Sequence, residues 1–268
     1  MNSIGVDIGG TFTDLVGYRD GQLVISKTLT TPANPTQGVA TALELAGTRL
    51  VELEEFLHGS TIAINTVLER KGALTALLTT HGFRDVYEIA RGNRPDAFDI
   101  GFQRPEPLVP RHLRFEVNER LNAKGEVLTP IDEETVRALG SILRDRGIVS
   151  IAVCFLHSYA NPVHEVAAGK ALREVYPELF VTLSHEILRE FREYERTSTT
   201  VLNAYVGPRV ANYLKALENH LERHGFDGAI HIMRSNGGSM SLAHASVEPV
   251  STMESGPVAG MIGAGAVA

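Results

Sequence analysis

The 268-residue chain has no tryptophan, one cysteine and an aromatic content of only 6%. Cys154 has no partner within the chain, so an intrachain disulfide framework is excluded and a reducing compartment, the cytoplasm, is the expected setting. It lies in the apolar run IVSIAVCFL, which reads as a packing position rather than a reactive thiol. No stretch approaches membrane-spanning length, and the first apolar run is interrupted by Asp7, so a signal peptide is not expected either. Charge of one sign never forms a long block. The 32 acidic and 25 basic residues leave a net charge of -7, which argues against nucleic acid or a membrane surface as partner. The chain also lacks GxxxxGK followed by Ser or Thr, so it is no P-loop protein. Gly263, Gly265 and Ala268 fit GxGxxA only by coincidence, because the residues before them read as helix. No serine, histidine and acid grouping points to a direct nucleophilic hydrolase.

What is present is a globular pattern, with 43% apolar residues and enough length for one large domain or two smaller ones. Three β-rich runs open the chain, at 3–8, 13–19 and 23–30, separated by GG and DG turn signals that favour tight hairpins. Helices are predicted over 35–46, 61–71, 132–146 and 162–175. A longer one spans 193–223, with a bend expected at Gly207 and Pro208. Between them ALTALLTT, the stretch 149–155 and FVTLS read as strands, and AIHIM as a further buried strand. SNGGSMS reads as a glycine-rich loop, and the SGP run as a final helix. This alternation predicts an α/β fold with an antiparallel β-meander at its start. The stretch from Arg91 to Pro110, rich in Pro, Arg and Asp, resists regular structure and reads as a functional loop. The chain stops in the small-residue run SGPVAGMIGAGAVA, which we read as a cut inside or just after a helix of a longer protein.

The chemistry concentrates in IGVDIGGTFTDLV. Gly9 and Gly10 in a hairpin turn leave backbone amides unshielded, an anion nest in which Thr11 and Thr13 add hydroxyl donors. Asp7, at the end of the first strand, is placed to hold a hydrated Mg2+ beside the same phosphate. The bland alternative is a plain hairpin whose threonines favour strand and whose Asp7 caps the turn. His220 and His224 share a helix face at metal-ligand spacing, but no third ligand is apparent and their neighbours mark a solvated face. His58 either orients a substrate or bonds a nearby carbonyl, and the second reading is favoured.

VDIGGTFTD resembles the first phosphate motif of the actin, heat-shock chaperone and sugar-kinase superfamily, in the form used by the hydantoinase A and 5-oxoprolinase family. HGSTIAINTVLERKGA, TTHGFRDVYEIARGNRPDAFDI, REYERTSTTVLNAYVGP, MRSNGGSMS and ESGPVAGMIGA resemble further blocks of that family, in its order. The resemblance implies ribonuclease H-like halves of an actin-like ATPase with inserted α/β segments. It divides the chain into an N-terminal region, 1–190, carrying the phosphate motif, and 191–268, the beginning of the hydantoinase A region. The latter ends after a first connector helix at 252–268. Implied cofactors are ATP and Mg2+, and the implied reaction opens a hydantoin- or 5-oxoproline-type ring by phosphorylating its carbonyl oxygen. Activation of a ketone, as in acetone carboxylase β subunits, is the alternative, and a noncatalytic scaffold stays open.

Because the second phosphate turn and the adenosine site are not in the chain, it is expected to bind ATP weakly and to turn over nothing alone. A hydantoinase-B-like second subunit and an oligomeric full-length form are also implied. Within the matching blocks, Arg91, Arg94, Asp96 and Asp99 are either substrate contacts or a solvated loop with local ion pairs. Glu193, Arg196 and Thr197 read equally as substrate contacts or as helix capping with surface pairing. Asn236 and Gly237, with Ser235 and Gly238, follow a strand end, where a cleft position is favoured over a simple turn.

Overall fold

The computed structural model describes residues 2–31 and 34–267. They form two compact units, one made of 1–71 with 209–268 and the other of 72–208. The family-based division near residue 190 cuts the chain differently, since it follows sequence blocks rather than packing.

In the first unit β1 (Ser3–Ile8), β2 (Phe12–Arg19) and β3 (Gln22–Leu29) make the expected antiparallel meander. Asp20 and Gly21 take φ of 52° and 78°, the pair of left-handed residues that a tight two-residue hairpin requires. The two-residue period of the strands sorts their side chains. Ile4, Val6, Ile8, Thr13 and Leu15 are buried on one face, whereas Asp7, Phe12, Asp14, Val16 and Tyr18 lie on the other. Helix α1 (Pro35–Leu45) starts with proline, whose missing N–H is no loss there, and buries Val39, Ala42 and Leu43. Strand β4 (Glu55–Ser60) follows and pairs parallel to β1, placing Gly59 beside Asp7. Its leading glutamate and short apolar content hid it from pattern reading. Helix α2 (Ile62–Leu68) is shorter than the predicted 61–71 because Arg70 turns left-handed, with φ of 55°.

The second unit begins with β5 (Thr75–Thr80) and the single-turn helix α3 (Val86–Ile89), and neither helix nor strand occurs over 90–110, as expected. Then come β6 (Arg114–Val117), the small hairpin β7 (Arg120–Leu121) and β8 (Val127–Thr129), and α4 (Glu133–Asp145). Strand β9 (Ser150–Cys154), α5 (Val163–Val175), β10 (Phe180–Leu183) and the short α6 (Ser184–Ile187) complete the α/β core. The sheet order is β10-β9-β5-β6, all parallel, and every residue of β5 and β9 is buried, as in strands covered on both faces. Cys154 is buried there, a packing residue as read from the sequence.

Helix α7 (Glu193–Arg223) runs unbroken through Pro208. Proline cannot donate to the carbonyl four residues back. Ser150 Oγ donates to that carbonyl, Ala204 O, at 2.6 Å, so the freed acceptor is satisfied from outside the helix, and the Ala73 N–H donates to the neighbouring Tyr205 O at 2.9 Å.

The chain re-enters the first unit within α7, at Arg209, and continues there with β11 (Ala229–Met233), β12 (Ser239–Ser241), α8 (Leu242–Val247) and α9 (Ser255–Val267). Two expectations are corrected here. AIHIM is a strand but not a buried one, since only Ile232 is fully covered, and the SMS of the supposed loop is strand β12, hairpinned onto β11. The connector helix expected over 252–268 forms from Ser255, with Thr252 in a preceding 3-10 turn; its end and the Ala268 of the GxGxxA match lie outside the described residues. The sheet order is β12-β11-β4-β1-β2-β3. Read from β3, three antiparallel strands lead into β4 and β11, each parallel to its neighbour, which is the ribonuclease H-like arrangement.

Candidate nucleotide-phosphate site

Asp7 sits near the end of β1 on the open face of the first unit's sheet. Its partner across the antiparallel pair is Asp14, and on the parallel side it is Gly59. Asp14 is ion-paired with Lys27, its own cross-strand neighbour. The Asp7 carboxylate has no ion pair or hydrogen bond among the described residues. Partial loss of hydration, reinforced by the Asp14 charge, pushes its carboxyl above the usual carboxylate range. Glycines make the space around it. A Cβ on Gly59 would stand 2.8 Å from Asp7 Oδ1, and one on Gly256, in the first turn of α9, 3.6 Å from both carboxylate oxygens. The carboxylate borders a cleft of about 510 Å³ that also reaches Asp14, Leu57, Met233 and Ala259. An unpaired carboxylate with a second one across the strand and no competing cation on it fits a hard, partly hydrated cation such as Mg2+.

The adjoining turn is braced from behind. The Gly9 N–H donates to Phe12 O at 2.9 Å, Thr30 Oγ1 donates to Gly9 O at 2.9 Å, and the Thr30 N–H donates to Thr11 O at 2.9 Å. The exposed amides of Gly10 and Thr11 donate to nothing among the described residues. Neither Gly9 nor Gly10 takes a positive φ, so the left-handed residue of a nest is absent. The glycines serve close approach instead, since a Cβ on Gly9 would meet Phe12 O at 3.2 Å. Thr13 also departs from the reading as a phosphate donor. The strand period turns it to the core face, where its hydroxyl lies 3.3 Å from that of Thr30. The exposed donors of the turn are therefore Gly10 and Thr11.

Strand β4 locks the turn to the rest of the unit. The Thr61 N–H and hydroxyl both donate to Ile8 O, at 2.9 and 3.1 Å, and Asn65 donates to the Thr61 hydroxyl at 3.0 Å. His58 is buried between Val6 O, 3.0 Å from Nδ1, and the Tyr213 hydroxyl, 2.7 Å from Nε2, so it bonds a carbonyl as expected. Burial drives its pKa down to about 4 and drives that of Tyr213 up, so at neutral pH the ring is neutral, Nδ1–H donating to the carbonyl and Nε2 accepting from the hydroxyl.

The other candidates are dispersed. Asn236 and Gly237 form the β11–β12 turn in the first unit: Asn236 Oδ1 accepts from the Gly238 N–H at 3.1 Å, and Gly237 has φ of 86°. Arg91, Arg94, Asp96 and Asp99 belong to the second unit's irregular segment, where Arg91 pairs with Glu195 at 2.6 Å and the two aspartates cap local turns. Arg196, expected at a helix surface or against substrate, is 1% exposed. Its Nη1 donates to Phe155 O and Ser184 Oγ and bonds Ser158, with Glu165 3.7 Å away, so surface pairing does not describe it. His224 Nδ1 faces the His220 carbonyl at 2.7 Å, and the two rings lie 4.3 Å apart, tilted by 36°. Asp14, Gly59 and Gly256 were not picked out from the sequence as neighbours of Asp7. The signal lay in HGS and ESGP, whose proximity depends on strand pairing.

The strand order and connections give the chain a ribonuclease H-like fold of the actin-like type. The chain belongs to the hydantoinase/oxoprolinase family: its residues 3–176 match the model of the hydantoinase/oxoprolinase N-terminal region, and 196–268 that of hydantoinase/oxoprolinase. It is 37% identical to the acetophenone carboxylase gamma subunit of Aromatoleum aromaticum, over 98% of this chain and 38% of that subunit. The solved ATP-dependent caprolactamase from Pseudomonas jessenii superposes with a TM-score of 0.85 at 31% identity, covering 96% of this chain and 39% of that one. Nucleotide-free acetone carboxylase superposes equally well, at 28% identity over 98% of this chain and 40% of that one. The chain thus spans about two fifths of the length of these relatives. No helix among the described residues is long and apolar enough to cross a membrane.

Proposed function

We propose that this chain carries the first phosphate-binding turn of an ATP-dependent enzyme that activates the carbonyl of a small cyclic amide of hydantoin or 5-oxoproline type. The observation that carries the reading is Asp7, an unpaired carboxylate beside the unbonded amides of Gly10 and Thr11. In this reading Asp7 holds a hydrated Mg2+, which supplies charge neutralisation at the phosphates. The Gly10 and Thr11 amides and the Thr11 hydroxyl donate to phosphate oxygens, while Gly9 and Thr13 hold the turn in shape. The chemistry is positioning and preorganised electrostatics. The amide oxygen attacks the γ-phosphorus and ADP leaves. Water then adds to the activated carbon, expulsion of the ring nitrogen breaks the C–N bond and leaves an acyl phosphate, and a second water hydrolyses that phosphate to give the open-ring carboxylate and inorganic phosphate. The similarity to acetophenone carboxylase favours a second reading, in which the activated carbonyl is that of a ketone.

Turnover by the whole protein is proposed to need a second, hydantoinase-B-like subunit, and this chain alone to bind ATP weakly and turn nothing over. The cytoplasm is the proposed setting. The test is phosphate release by the full-length protein against hydantoins, 5-oxoproline and small ketones, with wild type compared to Asp7→Ala. Substrate-dependent release that vanishes in the variant supports the reading. Equal release in both removes Asp7 from it, and micromolar MgATP binding by the 268-residue chain in calorimetry would contradict the expected weakness.

A further inference from the structure

The first unit holds another cavity, of about 500 Å³, that the phosphate turn does not use. Its walls are the end of α1 with Glu44, the segment from Thr48 to Val51, and His220 and His224 at the end of α7. Helix α1 packs on the face of the sheet that Thr13 occupies, since a Cβ on Gly38 would stand 2.9 Å from the Thr13 hydroxyl. Asp7 lies on the other face, so the two sites are separate.

The two histidines are four residues apart, just over one helical turn, so their rings leave α7 on the same side. Their centroids are 4.3 Å apart and the ring planes are tilted by 36°. The His220 carbonyl can only accept, so His224 Nδ1, 2.7 Å away, carries the proton and Nε2 keeps its lone pair. Metal-binding imidazoles are commonly fixed in this way, with the other ring nitrogen donating to a backbone carbonyl. The His220 ring forms no hydrogen bond among the described residues, so a nitrogen lone pair is free there too.

The surroundings favour a cation. The C-terminal ends of α1 and α7 both border the cavity, and helix C-termini carry partial negative charge. Glu44 adds a carboxylate to the wall, and Arg49, on the same wall, is paired with Glu52.

We propose that His220 and His224 together bind a divalent transition-metal ion of the Zn2+, Ni2+ and Cu2+ class through one nitrogen of each ring. These ions take imidazole readily, whereas Mg2+ prefers oxygen, so the site does not compete with Asp7 for its ion. No group of three His, Cys, Asp or Glu ligands occurs among the described residues. Two imidazoles are therefore the protein's share of the coordination, and water fills the open positions, for which the cavity has room.

The test uses the intact 268-residue chain. Titration calorimetry with Zn2+ and Ni2+, and with Mg2+ as control, compares wild type with His220→Gln and His224→Gln. Electron paramagnetic resonance of the chain with one equivalent of Cu2+ counts the coupled imidazole nitrogens. The expected result is one wild-type equivalent of Zn2+ or Ni2+, bound at least about tenfold more weakly by each variant, whose circular-dichroism spectrum is unchanged. Cu2+ should couple to two nitrogens in wild type and to one in either variant. Equal affinity in wild type and either variant, a single coupled nitrogen in wild type, or an equal response to Mg2+ overturns the proposal. None of these readouts depends on nucleotide, so their failure leaves the phosphate-turn reading standing.

Discussion

Replacing Tyr213 by phenylalanine removes one oxygen from the first unit and tests how that unit is held together. Its hydroxyl, on α7, donates to Nε2 of His58, on the strand that places Gly59 beside Asp7. Both residues are buried, and His58 Nδ1–H is committed to Val6 O, so the ring cannot turn to find another donor. The lost bond and the unmet acceptor together cost about 1–3 kcal/mol. With a urea dependence of about 2 kcal/mol per molar, the unfolding midpoint falls by about 0.5–1.5 M.

The same pair predicts an acid limb. Burial lowers the folded pKa of His58 to about 4 from an unfolded value of 6.5. Above the unfolded value both states are neutral and the stabilisation is complete. As the pH falls through this window the unfolded chain takes up a proton that the folded one refuses, and up to about 3 kcal/mol is lost. Urea denaturation followed by far-ultraviolet circular dichroism from pH 7.5 to 4, on wild type, Tyr213→Phe and His58→Leu, measures both effects. A Tyr213→Phe midpoint equal to wild type, or a His58→Leu curve with the same pH slope as wild type, would refute the buried-pair account.

Three further outcomes follow from the packing. Asp7→Asn is expected to be slightly more stable than wild type at pH 7, by less than about 1 kcal/mol because solvent screens the repulsion from Asp14, and to lose Mg2+-dependent nucleotide binding in the full-length protein; paired melts and titrations check the opposite signs. Gly59→Ala brings a methyl to 2.8 Å from Asp7 Oδ1, so nucleotide affinity should fall about tenfold or more while the circular-dichroism spectrum stays unchanged.

Glu165→Ala leaves Arg196, His185, Ser184 and the Phe155 N–H without their buried acceptor and should cost about 3–5 kcal/mol in urea unfolding. Burial by itself would raise the Glu165 pKa, but hydrogen bonds from His185 and Ser184 and from backbone amides outweigh it and hold the carboxyl below its usual range. Its stabilisation is therefore complete above the unfolded pKa and lost as the pH falls through the lower folded one, an acid limb that Glu165→Ala should lack.

Local chemistry in the sequence determined the meander, because GG and DG can turn the chain where few other pairs can. It also determined most helices through their caps and period, and Asp7 as the acidic end of the first strand. Burial of Cys154 was legible from its apolar run. Tertiary structure alone decided what surrounds Asp7. Gly59 and Gly256 are 52 and 249 positions away and reach it through the pairing of β4 with β1 and the return of α9, information that no local window contains. It also decided that Thr13 faces the core, since the strand period fixes alternation but only the covering by α1 says which face is inside. Arg196 read equally as a substrate contact or a surface charge at a helix start, and it is buried because Glu165, Ser184 and the end of β9 converge on it, a set of partners that exists only once the parallel sheet has formed.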